Sequence, residues 1–291
     1  MGRYIDPLTD WSFKHLFGSE PRKYILIAFL NDLFAGEKVI TDLSYGPNEH
    51  NGDSSDIRKA IFDLYCTGDK GEKFIVEVQR GRQDFFWERS VFYVSRTISE
   101  QLPAGKEHFR YDISEVYLIA VLEFKIDETS EQYFSNICLM DRKTHEIFYN
   151  RLGLKFLILP NFNKAADELE TDLDKWLYIL KNMSRLNQMP IYLNKRVFKR
   201  IFQIAEINKL TKEEREMYND SLKYKWDYEN TIETAMKEGE TRGEQRGRLI
   251  GKKEGKLEGK LDAARDLLTA GFSAAEIAEI LKLPLEEIKK L

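Results

Sequence analysis

Residues 61–79 of the chain, IFDLYCTGDKGEKFIVEVQ, contain the pattern that decides the fold. Two apolar runs rich in aromatic and β-branched residues, IFDLYCT and KFIVEVQ, are separated by GDKGE, whose glycines suit a tight turn. The stretch therefore predicts a β-hairpin. Because side chains alternate between the two faces of a strand, Glu77 and Gln79 share one face, and Val76 and Val78 lie on the other.

The first strand of this hairpin contains one acidic residue, Asp63, in an otherwise apolar run. If the turn is centred on Lys70, Asp63 lies directly opposite Glu77, with Cβ atoms ~4.5–5.5 Å apart. A two-residue turn at Asp69 and Lys70 would instead shift the register and separate the pair. Two carboxylates this close repel each other unless one is protonated or a cation lies between them, and hard divalent cations prefer oxygen ligands. The pattern therefore favours a cation site, although the polar side of an amphipathic hairpin that faces solvent would look the same.

The segments around the hairpin predict a mixed α/β core. Helical periodicity runs from Phe13 to Phe34, with Pro21 at the start of a second helix, and DFFWERSVFYVSRTISEQL predicts another helix. VYLIAVLEFKI is uniformly apolar and predicts a buried central strand, and NICLM, EIFYN and LKFLILP predict further strands. From Lys164 to Lys237 the pattern is helical. This order of elements indicates a mixed sheet with helices packed against it.

Glycine recurs every four residues from Gly239 to Gly259. A period of four is close to the 3.6 residues of a helical turn, so these glycines would form a slowly drifting stripe along one helix face. Glycine costs ~1 kcal/mol per helical position relative to alanine, which makes an isolated helix unfavourable. Two interpretations remain open: a charged flexible linker, or a helix that packs closely against another helix.

The last residues of the chain predict a small helical hairpin. Gly271 suits the end of one helix, and Ser273 with Glu276 forms a capping box that begins the next. Ile277 and Ile280 have the spacing of a buried helix face. Such a hairpin resembles a helix-turn-helix that contacts DNA, and it is equally suited to self-association.

These changes of pattern predict three parts of the chain. Residues 1–230 form the main domain, residues 231–262 a glycine-period helical linker or oligomerisation segment, and residues 263–291 the small helical hairpin. We expect the last two parts to mediate self-association, so that the protein is a homo-oligomer.

Composition limits the classes of partner and compartment. The chain has 291 residues, with 45 Lys and Arg against 49 Asp and Glu, so bulk attraction to nucleic acid is absent and DNA binding would need a local basic surface. Its two cysteines are too few for a disulfide framework. No apolar run reaches the ~18 residues of a transmembrane helix, and the first residues lack the apolar stretch of a secretory signal. We therefore expect a cytoplasmic protein with no membrane partner.

In order and spacing, these pieces resemble the PD-(D/E)XK nuclease superfamily. More narrowly, they are similar to the recombination-promoting nucleases, also described as PD-(D/E)XK nuclease family transposases. The resemblance rests on DPLTDWSFKHLFG, the isolated Asp63, IVEVQ and FFWERSVFYVS, and its specific motifs lie between Asp6 and Tyr111. It implies a restriction-endonuclease-like α/β fold, a mixed-sheet core flanked by helices, with a helical C-terminal extension.

The resemblance also implies a role for each matching residue. Asp63 and Glu77 become ligands of Mg²⁺, or of another divalent cation such as Mn²⁺ or Ca²⁺, and double-stranded DNA becomes the substrate. Gln79 takes the position that lysine usually holds in the wider superfamily. Lysine can stabilise developing negative charge, whereas a neutral glutamine can only orient its partners by hydrogen bonds.

Two residues of the first helix are further candidates. Asp10 matches an acidic position of the family and completes the catalytic set in this interpretation, but an aspartate before Trp11 is also a good helix N-cap. Lys14 could supply the positive charge that Gln79 lacks and contact DNA, although an exposed helical lysine usually has no specific role.

Basic residues follow the Glu-x-Gln motif closely. Arg80, Arg82 and Arg89 could hold the DNA backbone beside a metal site, and Arg96 lies further along the same helix. Tyr93 is four residues after Arg89, shares its helix face and is a further candidate for contact with DNA. The alternative is a solvated helix face on which the arginines pair with neighbouring glutamates.

Three functions therefore compete. The first is a metal-dependent DNA endonuclease that hydrolyses phosphodiester bonds in recombination, mobile elements or phage defence. The second is a nuclease-like protein that binds DNA or assists transposition without cutting, and the third is an oligomeric scaffold. The intact set of Asp63, Glu77 and Gln79 favours the first, since a degenerate nuclease would be free to lose it.

Overall fold

The computed structural model describes residues 2–50, 60–82, 84–102 and 111–291. Contacts divide the chain into two compact units, Met1–Tyr224 and Lys225–Leu291. The strands, in chain order, are β1 Leu43–Tyr45, β2 Glu49–His50, β3 Ala60–Ile61, β4 Leu64–Gly68, β5 Lys73–Gln79, β6 Val116–Leu122, β7 Phe134–Met140 and β8 Ile147–Ile158. The helices are α1 Asp10–Phe17, α2 Lys23–Leu33, α3 Phe86–Ser99, α4 Asp172–Asn182, α5 Arg196–Ile204, α6 Lys212–Thr269, α7 Ala274–Leu281 and α8 Leu285–Ile288.

A mixed sheet of six strands, in the order β1-β4-β5-β6-β8-β7, forms the centre of the first unit. Strands β5, β6 and β8 run parallel, and β1, β4 and β7 pair antiparallel with their neighbours. Strand β6 is the apolar run VYLIAVL, and all seven of its residues are buried, as expected for a strand covered on both faces. The mixed α/β architecture predicted from the sequence is confirmed.

The predicted hairpin is formed by β4 and β5. Leu64 pairs with Val76, and Thr67 pairs with Lys73. This is the register of a turn centred on Lys70, and the pairing ends at Leu64 and Val76, one position before Asp63 and Glu77 would stand opposite each other. The first strand differs from the prediction, because the chain bends at Phe62 and Asp63 and separates β3 from β4.

Each face of the sheet packs against helices. One face buries alternate residues of the hairpin, such as Phe74 and Val76, together with residues of α1, α2, α4 and α5. Trp176 of α4 lies at the centre of this layer, with no exposed surface, against the rings of Phe29 and Phe198. The opposite face buries residues that include Ile75 and packs against α3.

Two sequence-based boundaries are corrected by packing. EIFYN and LKFLILP, predicted as two strands, are one strand of 12 residues, β8. Gly153 lies at their junction, where a Cβ atom would come within 2.9 Å of the Tyr117 ring, so a close approach between strands explains the glycine. The helical pattern predicted from Lys164 begins only at Asp172, after the capping box of Thr171 and Asp174.

Helix α6 is continuous for 58 residues and passes through the whole glycine period. This excludes the flexible-linker interpretation of the segment from Gly239 to Gly259. A Cβ atom at any of its six glycines would meet nothing within 4 Å. Contacts among the residues that the structure describes therefore give no reason for glycine at these positions.

The second unit ends in the predicted helical hairpin. Gly271 has φ +94°, and Ser273 with Glu276 forms the predicted capping box at the start of α7. Its small core contains Ala264, Ile277, Leu283 and Ile288. Ile280, predicted to share the buried face with Ile277, is 57% exposed, because α7 ends at Leu281 and leaves that side uncovered. None of the helices described is long and apolar enough to span a bilayer.

Candidate active site

Asp63 is held at the point where β4 begins. Its Oδ2 accepts the backbone N–H of Val78 at 2.8 Å, so a side-chain oxygen replaces a main-chain acceptor beside β5. The Nδ2 of Asn48 donates to the Asp63 carbonyl oxygen at 2.8 Å and fixes the bend from the other side. The carboxyl group is therefore positioned by the backbone of the hairpin itself.

Glu77 lies in β5 and is 5% exposed. The Nε2 of Gln79 donates to Glu77 Oε2 at 3.2 Å, and the guanidinium of Arg89 in turn donates to Gln79 Oε1. The three side chains form a hydrogen-bonded series from β5 to α3. Because Gln79 is two residues after Glu77 on the same strand face, this series requires the alternation that the sequence predicts.

Burial controls the charge of Glu77. Removal from water, followed by the effect of the neighbouring Asp63 carboxylate, raises the pKa of Glu77 to about 8, against the opposing effects of Arg89 and Gln79. Within the described part of the chain, neither Asp63 nor Glu77 forms an ion pair. The site thus brings together two acidic groups that repel each other when both are ionised.

The Asp63 carboxyl lies in the field of groups from both sides of the hairpin. Burial raises its pKa, and the Val78 N–H opposes this effect; the charge of Asp10 raises it further, and Lys14 and Arg80 lower it. Asp10 and Lys14 form an ion pair of 2.7 Å on α1. The charges of these two α1 residues therefore act on the Asp63 carboxyl.

The alternative role of Asp10 as a helix cap is wrong. Thr9 is the N-cap of α1, and its Oγ1 accepts the N–H of Ser12 at 3.3 Å. Asp10 is the first residue of the helix and is exposed. Its side chain is thus free of the capping role and pairs with Lys14 instead.

Tyr93 and Arg89 share one face of α3 beside the carboxyl pair. The Arg89 guanidinium lies 6.0 Å from the centre of the Tyr93 ring. Burial raises the pKa of the Tyr93 hydroxyl, and the charges of Glu77 and Asp63 add to this effect. The predicted shared face is confirmed by these contacts, which bring both residues toward the carboxyl groups.

The other arginines differ in position. Arg80 is half-buried and near Asp63, whereas Arg82 is exposed and its charge acts on Asp127. Arg96 is only 9% exposed, and its Nε donates to Glu100 at 2.7 Å. The hypothesis that Arg96 holds DNA is therefore corrected, because its guanidinium is buried and neutralised within α3.

Asn48 is a positioning residue that sequence reasoning missed. It belongs to GPNEH, where glycine, proline and asparagine together indicate a turn. Nothing in this local pattern indicates that the turn returns to Asp63, because the contact joins residues 15 positions apart.

The donor set suits a hard divalent cation. Among the residues described here, no three His, Cys, Asp or Glu side chains are arranged to hold a metal ion. Mg²⁺, however, commonly binds through one or two carboxylates and keeps several waters. The pair Asp63 and Glu77 fits this requirement, and a cation between them would remove the repulsion that disfavours their ionisation.

A six-stranded mixed sheet whose hairpin carries Asp63 and Glu-x-Gln, beside a helix that presents Arg89 and Tyr93, defines a nuclease-like protein. The chain belongs to the PD-(D/E)XK nuclease family transposases, whose family model matches residues 7–235. Neither the curated proteins nor the solved structures yielded a match. The match supports a nuclease-like, transposase-related function, and nucleases of this family generally use divalent metal ions and act on DNA.

Proposed function

We propose that this protein is a DNA endonuclease that depends on a divalent metal ion and hydrolyses phosphodiester bonds. The observation that supports this most directly is the carboxyl pair on the hairpin, in which Glu77 is buried and Asp63 is half-buried. A buried, unpaired carboxylate is costly unless it is protonated or bound to a cation. The family, in which nucleases are common, supports the same conclusion, and its description as transposases supports a setting in DNA recombination or mobile elements.

Asp63 and Glu77 would hold the ion, and we propose Mg²⁺, with Mn²⁺ or Ca²⁺ as possible substitutes. When bound, such an ion supplies positive charge at the phosphate and makes a bound water a better nucleophile at neutral pH. The Val78 N–H fixes Asp63, and Gln79 fixes Glu77. The protein's own contribution is thus to hold both carboxylates in one orientation before the ion and the substrate arrive.

Arg89 compensates for the glutamine at position 79. The Gln79 amide spans Glu77 and Arg89, so the cationic guanidinium is kept one side chain away from the carboxyl pair. A cation there stabilises negative charge that develops on the phosphate. Lys14 on α1 is a second cation near Asp63. The loss of lysine at position 79 therefore does not leave the site without positive charge.

Arg80, Arg82 and Lys14 are the proposed contacts to the DNA backbone. Arg82 is exposed, whereas Lys14 and Arg80 are half-buried near Asp63. The chain as a whole is slightly acidic, with a formal charge of −4, so attraction to DNA must come from such a local group. Contacts of this kind are independent of sequence and weaken as salt is added.

The decisive experiment is cleavage of supercoiled plasmid in Mg²⁺ or Mn²⁺, compared with EDTA. Wild-type protein should nick or linearise the plasmid only with metal. The variants Asp63→Asn and Glu77→Gln keep the size of each side chain and should each lose roughly 100-fold or more of the rate. Binding of Mn²⁺, measured by electron paramagnetic resonance, should weaken in both variants.

Glu72→Gln is the matched control. Glu72 is also a buried glutamate of the hairpin, 4% exposed, but its Oε2 accepts the Lys70 N–H at 3.1 Å in the turn. This variant should retain both cleavage and Mn²⁺ binding. Cleavage in EDTA, or Mn²⁺ binding that survives both site substitutions, would contradict the proposal.

A DNA-binding protein that does not cut is the second candidate, and Gln79 in place of lysine is the observation that favours it. The same experiment separates the two functions. DNA binding without cleavage in either metal, by a protein that does bind Mn²⁺, would favour this second function.

We also propose that residues 231–291 mediate self-association into a homo-oligomer. The support is the glycine period of α6: among the described residues, a Cβ atom added at any of these six glycines would meet nothing within 4 Å apart from the neighbouring backbone of its own helix. Sedimentation of the full chain, compared with a chain that ends near Asn230, tests this. Loss of the oligomer in the shorter chain is expected, and the same oligomeric state in both would contradict the proposal.

A further inference from the structure

Phe85 combines two features that seldom occur together, a strained backbone and an exposed aromatic ring. Its backbone is left-handed, with φ 63° and ψ 28°, a region that bulky side chains seldom adopt. Its side chain is 74% exposed, so burial of the ring does not offset this strain. A smaller residue at this position would suit the structure of the free protein better.

Phe85 is also the N-cap of α3, and it makes no side-chain capping hydrogen bond. Ser, Thr, Asp and Asn are preferred at an N-cap, and Gly or Asn in the left-handed region. Phenylalanine satisfies neither preference. Positions that break local rules without a structural gain are concentrated at functional sites.

The backbone of Phe85 is anchored firmly to the candidate active site. Its carbonyl oxygen accepts the N–H of Arg89 at 2.9 Å, and the Arg89 guanidinium binds Gln79 next to Glu77. The next residue, Phe86, is buried, with its ring centre 5.3 Å from that of Phe156. The exposed ring therefore projects from a rigid support, about one helical turn (~5.4 Å) along α3 from Arg89.

The surroundings of Phe85 suit a nucleic acid. Arg82, three residues earlier in the chain, is exposed, and Arg80 lies beside Asp63. Trp87, two residues later, is 48% exposed while one side of its ring packs against Phe156 at 5.4 Å. Arginines attract a phosphate backbone, and exposed aromatic rings offer flat faces on which bases stack.

We propose that the Phe85 ring stacks on an unpaired nucleobase of the DNA substrate. This inference rests on the proposed function, since it assumes that DNA lies at the Asp63 and Glu77 site. A base within a regular duplex is already stacked on both sides, so its face is not available to the ring. The protein therefore prefers DNA with an unpaired base near the bond that it cuts, such as a bulge, a junction or a single strand.

The test compares the binding of two fluorescently labelled 30-base-pair duplexes that differ only by one 2-aminopurine bulge. The Asp63→Asn background is used throughout so that no strand is cut. Stacking contributes ~1–3 kcal/mol per base, so Phe85→Ala should lower affinity for the bulged duplex by about 5- to 150-fold. Affinity for the fully paired duplex should change by less than about threefold, and quenching of the 2-aminopurine fluorescence should be lost.

Two further variants separate stacking from folding. Phe85→Trp keeps an aromatic face and should retain the preference for the bulge. Phe85→Asn suits both the N-cap and the left-handed backbone, so it should raise the melting temperature by about 2–4 °C while it loses the preference. A merely structural role for Phe85 would make Phe85→Asn harmless or beneficial in both measurements.

Phe148→Ala is the matched control, because Phe148 is 82% exposed on β8, outside the series of contacts around Glu77. It should leave both affinities unchanged. The inference is overturned if Phe85→Ala binds the bulged duplex as tightly as the unsubstituted background does, or loses affinity equally for both duplexes. If the Asp63→Asn background binds neither duplex, the proposed function itself fails; binding by this background that does not depend on Phe85 overturns only the stacking inference.

Discussion

Glu77 and Lys155 are two ionisable side chains buried in the same sheet. They differ in whether the chain supplies a partner of opposite charge. Lys155 of β8 is 1% exposed; its Nζ lies 2.9 Å from each carboxyl oxygen of Glu37 and 3.1 Å from Asn136 Oδ1, and 4.4 Å from the centre of the Phe34 ring. Glu77 of β5 has one hydrogen bond, from a neutral amide, and a second carboxyl beside it.

The difference separates a buried charge that has its counter-ion within the chain from a buried carboxyl that forms no ion pair among the described residues. Lys155 has its counter-ion and acceptors within the chain, so the folded protein completes this site by itself. Glu77 has a neighbour of the same sign, so the folded protein leaves its site incomplete. Under the proposed function, a divalent cation from solution would be the partner that the second arrangement lacks.

The largest effect that would test this contrast is expected for Glu77→Gln. The folded-state pKa of Glu77 is about 8, raised from 4.5, so the folded state binds more protons than the unfolded state between these values. Stability should therefore fall as pH rises through this window. In EDTA, Glu77→Gln removes this loss and should stabilise the protein at pH 9 by on the order of 3 kcal/mol, with little gain at pH 4.5.

Urea unfolding at several pH values measures this difference. Asp63→Asn is the companion variant, because the Asp63 charge helps to raise the pKa of Glu77. It should recover part of the same gain, and added Mg²⁺ should reduce the advantage of Glu77→Gln, since the metal stabilises only the wild-type site. Parallel curves of stability against pH for wild type and Glu77→Gln would mean that the pKa of Glu77 is the same in the folded and unfolded states. The contrast with Lys155 would then be wrong.

Substitution of Lys155 should lower the stability of the protein, which is the opposite of the gain expected for Glu77→Gln. Lys155→Met keeps most of the apolar stem but removes the charge that binds Glu37 and lies over Phe34. Glu37 is 47% exposed and can return to water, so the loss should be about 2 kcal/mol, below the range for a fully buried pair. Lys209→Met is the control: Lys209 pairs with Glu206 at 2.7 Å but is 57% exposed, and its loss should cost less than about 1 kcal/mol. Equal losses of unfolding free energy in the two variants would show that the buried ion pair of Lys155 stabilises the protein no more than the exposed pair of Lys209.

His15 differs from both Lys155 and Glu77, because this ionisable side chain is held in its neutral form when the protein folds. It stacks on Trp11 with ring centres 4.4 Å apart, and burial, with a smaller effect of the Arg22 charge and an opposing one from Glu214, lowers the pKa of His15 to about 4. The unfolded state then binds more protons than the folded state below pH 6.5. Stability should fall with decreasing pH, by roughly 1–2 kcal/mol between pH 7.5 and 5.5.

His15→Gln removes the titrating ring and is the comparison for this prediction. The difference in unfolding free energy between wild type and His15→Gln should change with pH over that interval. A difference that stays constant from pH 7.5 to 5.5 would mean that His15 is not held neutral by burial.

The sequence predicted those features of the fold that depend on local alternation. The hairpin and the shared face of Glu77 and Gln79 follow from the two-residue period and the turn between the strands, whereas the sequence left two registers open and the structure has the one centred on Lys70. The strained Phe85 and the contact from Asn48 to Asp63 could not be predicted, because both depend on how distant segments meet. Likewise, EIFYN and LKFLILP look separate because of Gly153, whose reason is the Tyr117 ring on another strand.

The smallest expected effect concerns the glycines. A contact within the chain explains one of them, Gly153, whereas Gly247 has no such contact. At Gly153 a Cβ atom would lie 2.9 Å from the Tyr117 ring, whereas at Gly247 it would meet nothing within 4 Å. Gly247→Ala should therefore stabilise α6 by up to about 1 kcal/mol, since alanine is the better helix former and nothing in the chain obstructs its methyl group. Thermal unfolding followed by circular dichroism measures this gain, and Gly153→Ala, which should destabilise, is the control.

The measurement also tests the proposed self-association when it is repeated over a range of protein concentrations. If α6 packs closely on a second copy through its glycines, Gly247→Ala should weaken the oligomer and its advantage should vanish as concentration rises. A gain that is independent of concentration would leave the glycine period without a packing role and contradict self-association through this face.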